Sequence, residues 1–290
     1  MDAFTLSLNR YILHNRRYLG VIAFMLRLFS SAPTAARRIP TAGIASAVKA
    51  HFQKLDLNCD LGEGESPSRQ RALMRAISSA NIACGGHAGD LRSMDHCVRM
   101  AREEGVHVGA HPGYPDRENF GRISRQISPA DFELLLIQQI SGLEQVARSN
   151  RMKLSHIKLH GALYHDVERD SSLAIVYLET VTRFWPKAKI FALAGGNLVE
   201  ASARHDARVW EEIFADRAYR PNGTLVDREA DGAVLSDLKE IVSRVQSYNK
   251  TGRMKTIAGS TVGMNARTIC VHSDSENALR VARALADELG

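Results

Sequence analysis

From Lys54 onward the chain repeats one pattern: a short apolar run, a polar turn, then a longer segment whose apolar residues return every three or four positions. Short continuous runs suit strands covered on both faces, and the three-to-four spacing suits helices that bury one side. The runs predict strands over residues 55–59, 81–84, 106–110, 156–159, 189–193, 209–215 and 268–271. Between them, Ser66-Pro67 opens a helix reaching about residue 78, with proline at the first helical position, where its missing N–H costs nothing. Asp90 caps a second helix, in which Leu91, Met94, Val98 and Ala101 share a face until Gly105 stops it. Ser128-Pro129 opens a third, with a stripe of Leu134, Leu135, Ile137, Ile140, Leu143 and Val146. Further helices are expected over 170–184, about 233–248, and 276–289, with a shaped loop over 111–122 and an open one over 223–231.

Strands alternating with helices give a parallel sheet covered by helices. A closed or nearly closed β/α (TIM-like) barrel of seven strands is the expected fold class, in one domain over 54–290, with a doubly wound α/β sheet as the runner-up. The sixth run carries Glu211 and Glu212, which a barrel interior accepts near its rim.

Charge changes the picture only at the N-terminus. The chain carries a formal +6, but residues 1–54 hold eight Lys/Arg against Asp2 alone, so the remainder stands at −1 and has no reason to seek a nucleic-acid backbone. Residues 1–53 therefore read as a basic leader, rich in Arg, Ser and Ala, with the composition of a mitochondrial transit peptide. An extended start before a cytoplasmic enzyme is the other reading. The apolar run over 18–29 is too short to span a bilayer and contains Arg27, so no membrane span is expected. Four cysteines lie scattered without metal-binding spacing, which points to buried thiols.

In a barrel the loops after the strands share one end, so the polar residues there belong to one cup. These are Asp56, Asn58 and Asp60; Asn81 and His87; His111 and Asp116; Lys158 and His160; Asn197; Glu212, Asp216 and Arg217; and His272 and Asp274. Carboxylates and imidazoles together supply acid and base near neutral pH, and His with Asp can also bind a divalent metal. No GxxxxGK[ST] is present, so any ATP needs another cradle, and no GxSxG elbow appears.

Several of these stretches resemble one family. LNCDLGE over 57–63, ANIACG over 80–85 with HAGD over 87–90, GAHPGYPD over 109–116, FGR over 120–122, KLHGALY over 158–164, FADRAY over 214–219 and CVH over 270–272 are similar, in order, to motifs of the LamB/YcsF family. The resemblance implies a distorted seven-stranded β/α barrel like those of glycoside hydrolases and deacetylases. It also implies ATP-dependent opening of the 5-oxoproline (pyroglutamate) lactam to L-glutamate, with ATP as cofactor and with partner subunits B and C of a 5-oxoprolinase. On that reading Asp60, His87, His111, Lys158 and His160 are the catalytic candidates, Asp60 or His111 activating water or deprotonating the lactam. The same reading gives substrate binding to Asn58, Asn81, Asp90, Asp116, Arg122, Asp216, Arg217 and His272. Gly86 stands where the family usually has Phe, which predicts a wider pocket, and Ser273 where it often has Gly. Two other readings stay open: a metal-dependent deacetylase or amidohydrolase working without ATP, with Asp60, His87 and His111 as ligands, and a non-catalytic component that carries a lactam.

Overall fold

The computed structural model describes residues 54–290; the basic leader expected over 1–53 lies outside them. Seven strands close a barrel: β1 (Asp56–Leu61), β2 (Ser79–Ala83), β3 (His107–His111), β4 (Leu154–Lys158), β5 (Lys189–Leu193), β6 (Arg208–Phe214) and β9 (Thr268–Val271). Every neighbouring pair is parallel, and β9 closes the ring between β6 and β1. All seven C-terminal ends therefore open toward the same side.

Eight helices follow in the described chain: α1 (Pro67–Met74), α2 (Leu91–Glu104), α3 (Pro129–Ser149), α4 (Gly161–Arg169), α5 (Ser171–Phe184), α6 (Asn197–Ser202), α7 (Leu238–Thr251) and α8 (Ala278–Leu289). The caps act as expected. Ser66 and Ser128 accept from the backbone N–H three residues on, and Asp90 with Ser93 forms a capping box. No helix among the described residues is long and apolar enough to cross a membrane, and all four cysteines are buried free thiols.

Alternation along each strand decides which side chains meet the helices and which enter the barrel. In β1, Leu57, Cys59 and Leu61 belong to the apolar core, whereas Asp56, Asn58 and Asp60 make polar contacts across the ring. The barrel interior is a hydrogen-bonded column. Ser79 and Thr268 donate to Asp56; Asn58 donates to Thr268 and Glu212; Asn81 donates to both Asn58 and Asp60. His156 lies in the same interior with Nε2 against Asn81 Oδ1, its ring stacked on Phe191. That ring leaves no room on β3, since a Cβ at position 109 would collide with it, and Gly109 stands there.

Four features differ from the sequence expectation, the short α6 after β5 being the first. Residues 161–169 are helical, because the chain after β4 turns directly into α4 with His160 as its N-cap. The helix expected over about 233–248 begins instead at Leu238, capped by Asp237, because the Leu235 N–H is taken by the Asp216 carbonyl and holds the preceding segment extended. Finally, β7 (Arg253–Lys255) and β8 (Thr261–Gly263) form an antiparallel hairpin before β9, three residues each and too short to show a period.

Candidate functional site

A cavity of about 400 Å³ opens at the C-terminal mouth of the barrel, lined among others by Asp60, Glu63, His111, Lys158, His160 and His272. Its floor is the Lys158 ammonium at the end of β4, only 2% exposed. It donates to Asp60 Oδ1 and to Cys270 Sγ, each at 2.9 Å, and lies 3.4 Å from Glu212 Oε1. Burial opposes the lysine's charge, but Asp60, Cys270 and Glu212 outweigh it and hold its pKa well above the ordinary value. Burial would likewise raise Asp60; His111 and Lys158 win and keep that carboxyl well below the usual range. For Glu212 burial prevails over Lys158, and its pKa rises.

Beside this pair stands a cluster from four loops. Glu63, in the turn after β1, presents Oε1 to His87 Nε2 at 2.9 Å, to His160 Nδ1 at 3.3 Å and to His111 Nε2 at 3.7 Å. The rings of His87 and His160 stack 3.5 Å apart, nearly parallel. Two backbone carbonyls orient the others: His111 Nδ1–H donates to Lys158 O and His160 Nε2–H donates to Phe120 O, both at 2.8 Å. Phe120 adopts φ +54°, a left-handed conformation uncommon for an aromatic residue, at the point where its carbonyl serves the cluster. His160 makes no side-chain cap for α4, since both its ring nitrogens are engaged here. Burial lowers His87 to about 4 against the pull of Glu63, and it lowers His160 as well. At His111 burial is overcome by Asp60, and the pKa rises. Glu63 is held well below the usual carboxylate range, burial being outweighed by the hydrogen bonds from His160 and His87.

On the opposite wall His272 places Nδ1 3.0 Å from both oxygens of buried Asp216, which fixes the ring and leaves Nε2 as the other nitrogen of the neutral form. Burial would raise Asp216, yet His272 holds it below its ordinary value. Arg217 also lines the cavity while only 4% exposed. It donates to the Val226 carbonyl, and its Nε is buried without a hydrogen-bond partner. At the rim, Arg122 and Arg228 both pair with Asp274.

The structure brings Asp60, His111, Lys158, His160, Arg122, Arg217 and His272 to the cavity wall, with His87 stacked directly behind His160 and Asp216 behind His272. Four expected substrate contacts are placed otherwise. Asn58 and Asn81 are fully buried beneath Asp60, their amides consumed by the barrel column. Asp90 is exposed and spends its carboxylate on the α2 cap. Asp116 accepts from Asn119 and pairs with Arg125, holding the 111–122 loop in shape. The wider pocket expected at Gly86 is also not found: a Cβ there would meet the Gly113 carbonyl at 2.5 Å, and Gln139 of α3 fills the space by bonding Gly113 on both its N–H and its carbonyl. The proposed ligand set of Asp60, His87 and His111 changes too, because Asp60 is committed to Lys158 and Asn81 while Glu63 faces the histidines. Glu63 was within reach of a sequence reading, three residues past Asp60 in the same turn. Glu65 gives no such hint, though its carboxylate ties that turn together through the Gly62 and Glu63 N–H groups and accepts from Ser273.

Fold and site together define a β/α-barrel protein with a charged cup at the carboxyl ends of its strands. The chain belongs to the LamB/YcsF family, whose model matches residues 55–290. Among solved structures it is similar to a lactam utilization protein from Thermus thermophilus, at 34% identity and TM-score 0.76, over 82% of this chain and 96% of that one. A family 4 carbohydrate esterase from Streptomyces lividans in complex with acetate is more distant, at 14% identity and TM-score 0.44, over 82% of this chain and 88% of that one.

Proposed function

We propose that this chain is the lactam-opening component of an ATP-dependent 5-oxoprolinase, acting with partner subunits B and C. The observation that carries the reading is Arg217: a buried guanidinium with an unpartnered Nε on the cavity wall, where Lys158 is already tied to Asp60 and Arg122 and Arg228 are tied to Asp274. A buried cation short of a partner suits an anionic substrate, and 5-oxoproline is a small amide bearing one carboxylate. The similarity to the Thermus lactam utilization protein supports the same substrate class.

A five-membered lactam is an unstrained amide that water attacks slowly. Coupling to ATP transfers its terminal phosphoryl group to the carbonyl oxygen and releases ADP; water then adds to the carbon and gives up its proton, the ring C–N bond breaks with nitrogen taking a proton, and a second water hydrolyses the resulting acyl phosphate to carboxylate and inorganic phosphate. Within this scheme Arg217 holds the carboxylate. His272, oriented by Asp216 as a histidine is in a hydrolytic triad, takes the proton from water at Nε2. The ionised Asp60 and Lys158 pair fixes the floor against which the reacting carbon lies. The cavity is at the small end of ligand sites, which suits the lactam, and the sequence carries no P-loop, so we assign the nucleotide cradle to one of the partners.

The reading is tested by glutamate release from 5-oxoproline by the full chain with candidate partner subunits, with and without ATP. Turnover that requires all three is expected. Hydrolysis of simple N-acetyl compounds without ATP or partners would instead support a metal-dependent amidohydrolase, the reading that the Glu63 and histidine cluster favours. Binding of lactam with no turnover under any combination would leave a carrier.

A further inference from the structure

At the mouth of the cavity one oxygen, Asp274 Oδ2, accepts from two guanidiniums, Arg122 at 2.5 Å and Arg228 at 2.8 Å. The three residues come from separate loops, after β3, β6 and β9, and all three line the cavity. Each arginine spends one N–H there of the five a guanidinium carries, and neither makes another hydrogen bond among the described residues. Two cations from different parts of the chain thus converge on a single anionic oxygen with most of their donors left over. A phosphoryl group, with three terminal oxygens and up to two charges, matches that donor set better than one carboxylate does. We propose that Arg122 and Arg228 form a phosphoryl-binding site, that Asp274 is the counter-ion a phosphoryl group displaces, and that the molecule the cup receives is the O-phosphorylated lactam. The identity of that molecule rests on the oxoprolinase reading; the phosphoryl site rests on the arginines alone.

Exposed ion pairs contribute little to stability. The side chains of Arg122, Arg228 and Asp274 are 41%, 31% and 33% exposed, so an incoming dianion can take the place of Asp274. The arginines are nevertheless held ready. Arg122 lies over the Phe120 ring, 4.9 Å from its centre, in a loop whose Gly121 carbonyl accepts from the Ala162 N–H at the start of α4. Arg228 sits in a turn closed by the Ala230 N–H on the Asp227 carbonyl. Glu229 also lines the mouth but pairs with neither arginine. Deeper in the cavity, burial and after it the charge of Arg228 hold the Arg217 pKa below its ordinary value. One cavity therefore offers two anion positions, the buried Arg217 for a carboxylate and the rim pair for a phosphoryl group. The O-phosphorylated lactam carries both anions, whereas the lactam carries only the first. The mouth is also the side from which a molecule phosphorylated on a partner subunit enters. Water adds at the carbon while the phosphoryl group stays on its oxygen, and inorganic phosphate leaves from the same arginines once the acyl phosphate is hydrolysed.

The probes are the L forms of 2-amino-5-phosphonopentanoate and 2-aminoadipate, which share one chain and end in a phosphonate or a carboxylate. The phosphonate sets its phosphorus the same number of bonds from the carboxylate as in the O-phosphorylated lactam. Calorimetry on the full chain should show the phosphonate binding about tenfold more tightly or better. Arg122→Gln and Arg228→Gln, each shown folded by circular dichroism, should abolish most of that preference, and Asp274→Asn should tighten the phosphonate. A native chain that binds both probes equally, or neither, overturns the proposal, as does a preference that survives both arginine substitutions. In the assembled system each arginine variant should slow ATP-dependent glutamate release by about tenfold or more. Native rates in both would remove the phosphoryl site and leave the oxoprolinase reading standing. An arginine-dependent phosphonate preference in a system that releases no glutamate would keep the site and remove that reading.

Discussion

Lys158 shows most plainly how single side chains set this site. Removing its charge leaves Asp60 and Glu212 buried and facing each other without a cation. Breaking a buried pair from one side costs about 3–5 kcal/mol, so Lys158→Met should lower stability by that order in urea unfolding, where a surface lysine would barely register. Asp60 adds a pH dependence. Its folded pKa lies below the unfolded one, so its contribution is present above the ordinary carboxylate range and is lost as pH falls through the folded value. At this scale the sequence was informative about residue type and uneven about placement. Asp60, His111, Lys158, His160, Arg217 and His272 could be found because each lies at the C-terminal end of a strand or just after it, and that position alone directs them to the mouth. Asn58 and Asn81 have the same spacing but point into the barrel one or two layers lower, a depth that strand periodicity does not report. Asp90 obeyed the capping rule that was read for it, and a carboxylate used in a cap is no longer free for a ligand.

Among the elements, the junction of α4 with α6 carries the clearest consequence. Glu168, near the end of α4, accepts from the Leu198 N–H at the start of α6 while packing against Gly196. Burial raises its pKa from the usual 4.5 to about 7, the backbone hydrogen bonds opposing. A raised carboxyl pKa makes the folded state hold the proton more tightly. Its contribution is therefore full below pH 4.5 and is lost as pH rises through about 7. The native chain should lose up to about 3 kcal/mol from this group across that window, and Glu168→Gln should flatten the loss. Denaturant midpoints at pH 5 and pH 8 check it; equal pH slopes for the two proteins would exclude the assignment. The seven barrel strands were legible because each is a compact apolar run with turn residues beyond it. The α4 helix was hidden because HGALYH reads equally well as a loop after β4. The β7–β8 hairpin was hidden because three residues define no alternation, and its place is set by contacts such as Tyr219 with Thr256, far apart in the chain.

At the scale of the whole molecule, parallel closure matters more than any one loop. It carries Asp60 from β1, the histidines after β2, β3 and β4, and His272 after β9 to one rim, although more than two hundred residues separate the first from the last. A cup assembled this way has no local signature, so its donor distances and tautomers could come only from the folded chain. The proposed activity stands on that convergence, and Asp60 is where the floor, the His111 contact and the β1 turn meet. The most direct measurement is the kcat for ATP- and 5-oxoproline-dependent glutamate release by Asp60→Asn in the assembled system, beside the native chain, with its fold checked by circular dichroism. We predict a fall of about 100-fold or more, because Lys158 loses the carboxylate that fixes it beneath the reacting carbon. A folded Asp60→Asn protein that turned over at the native rate would contradict the account.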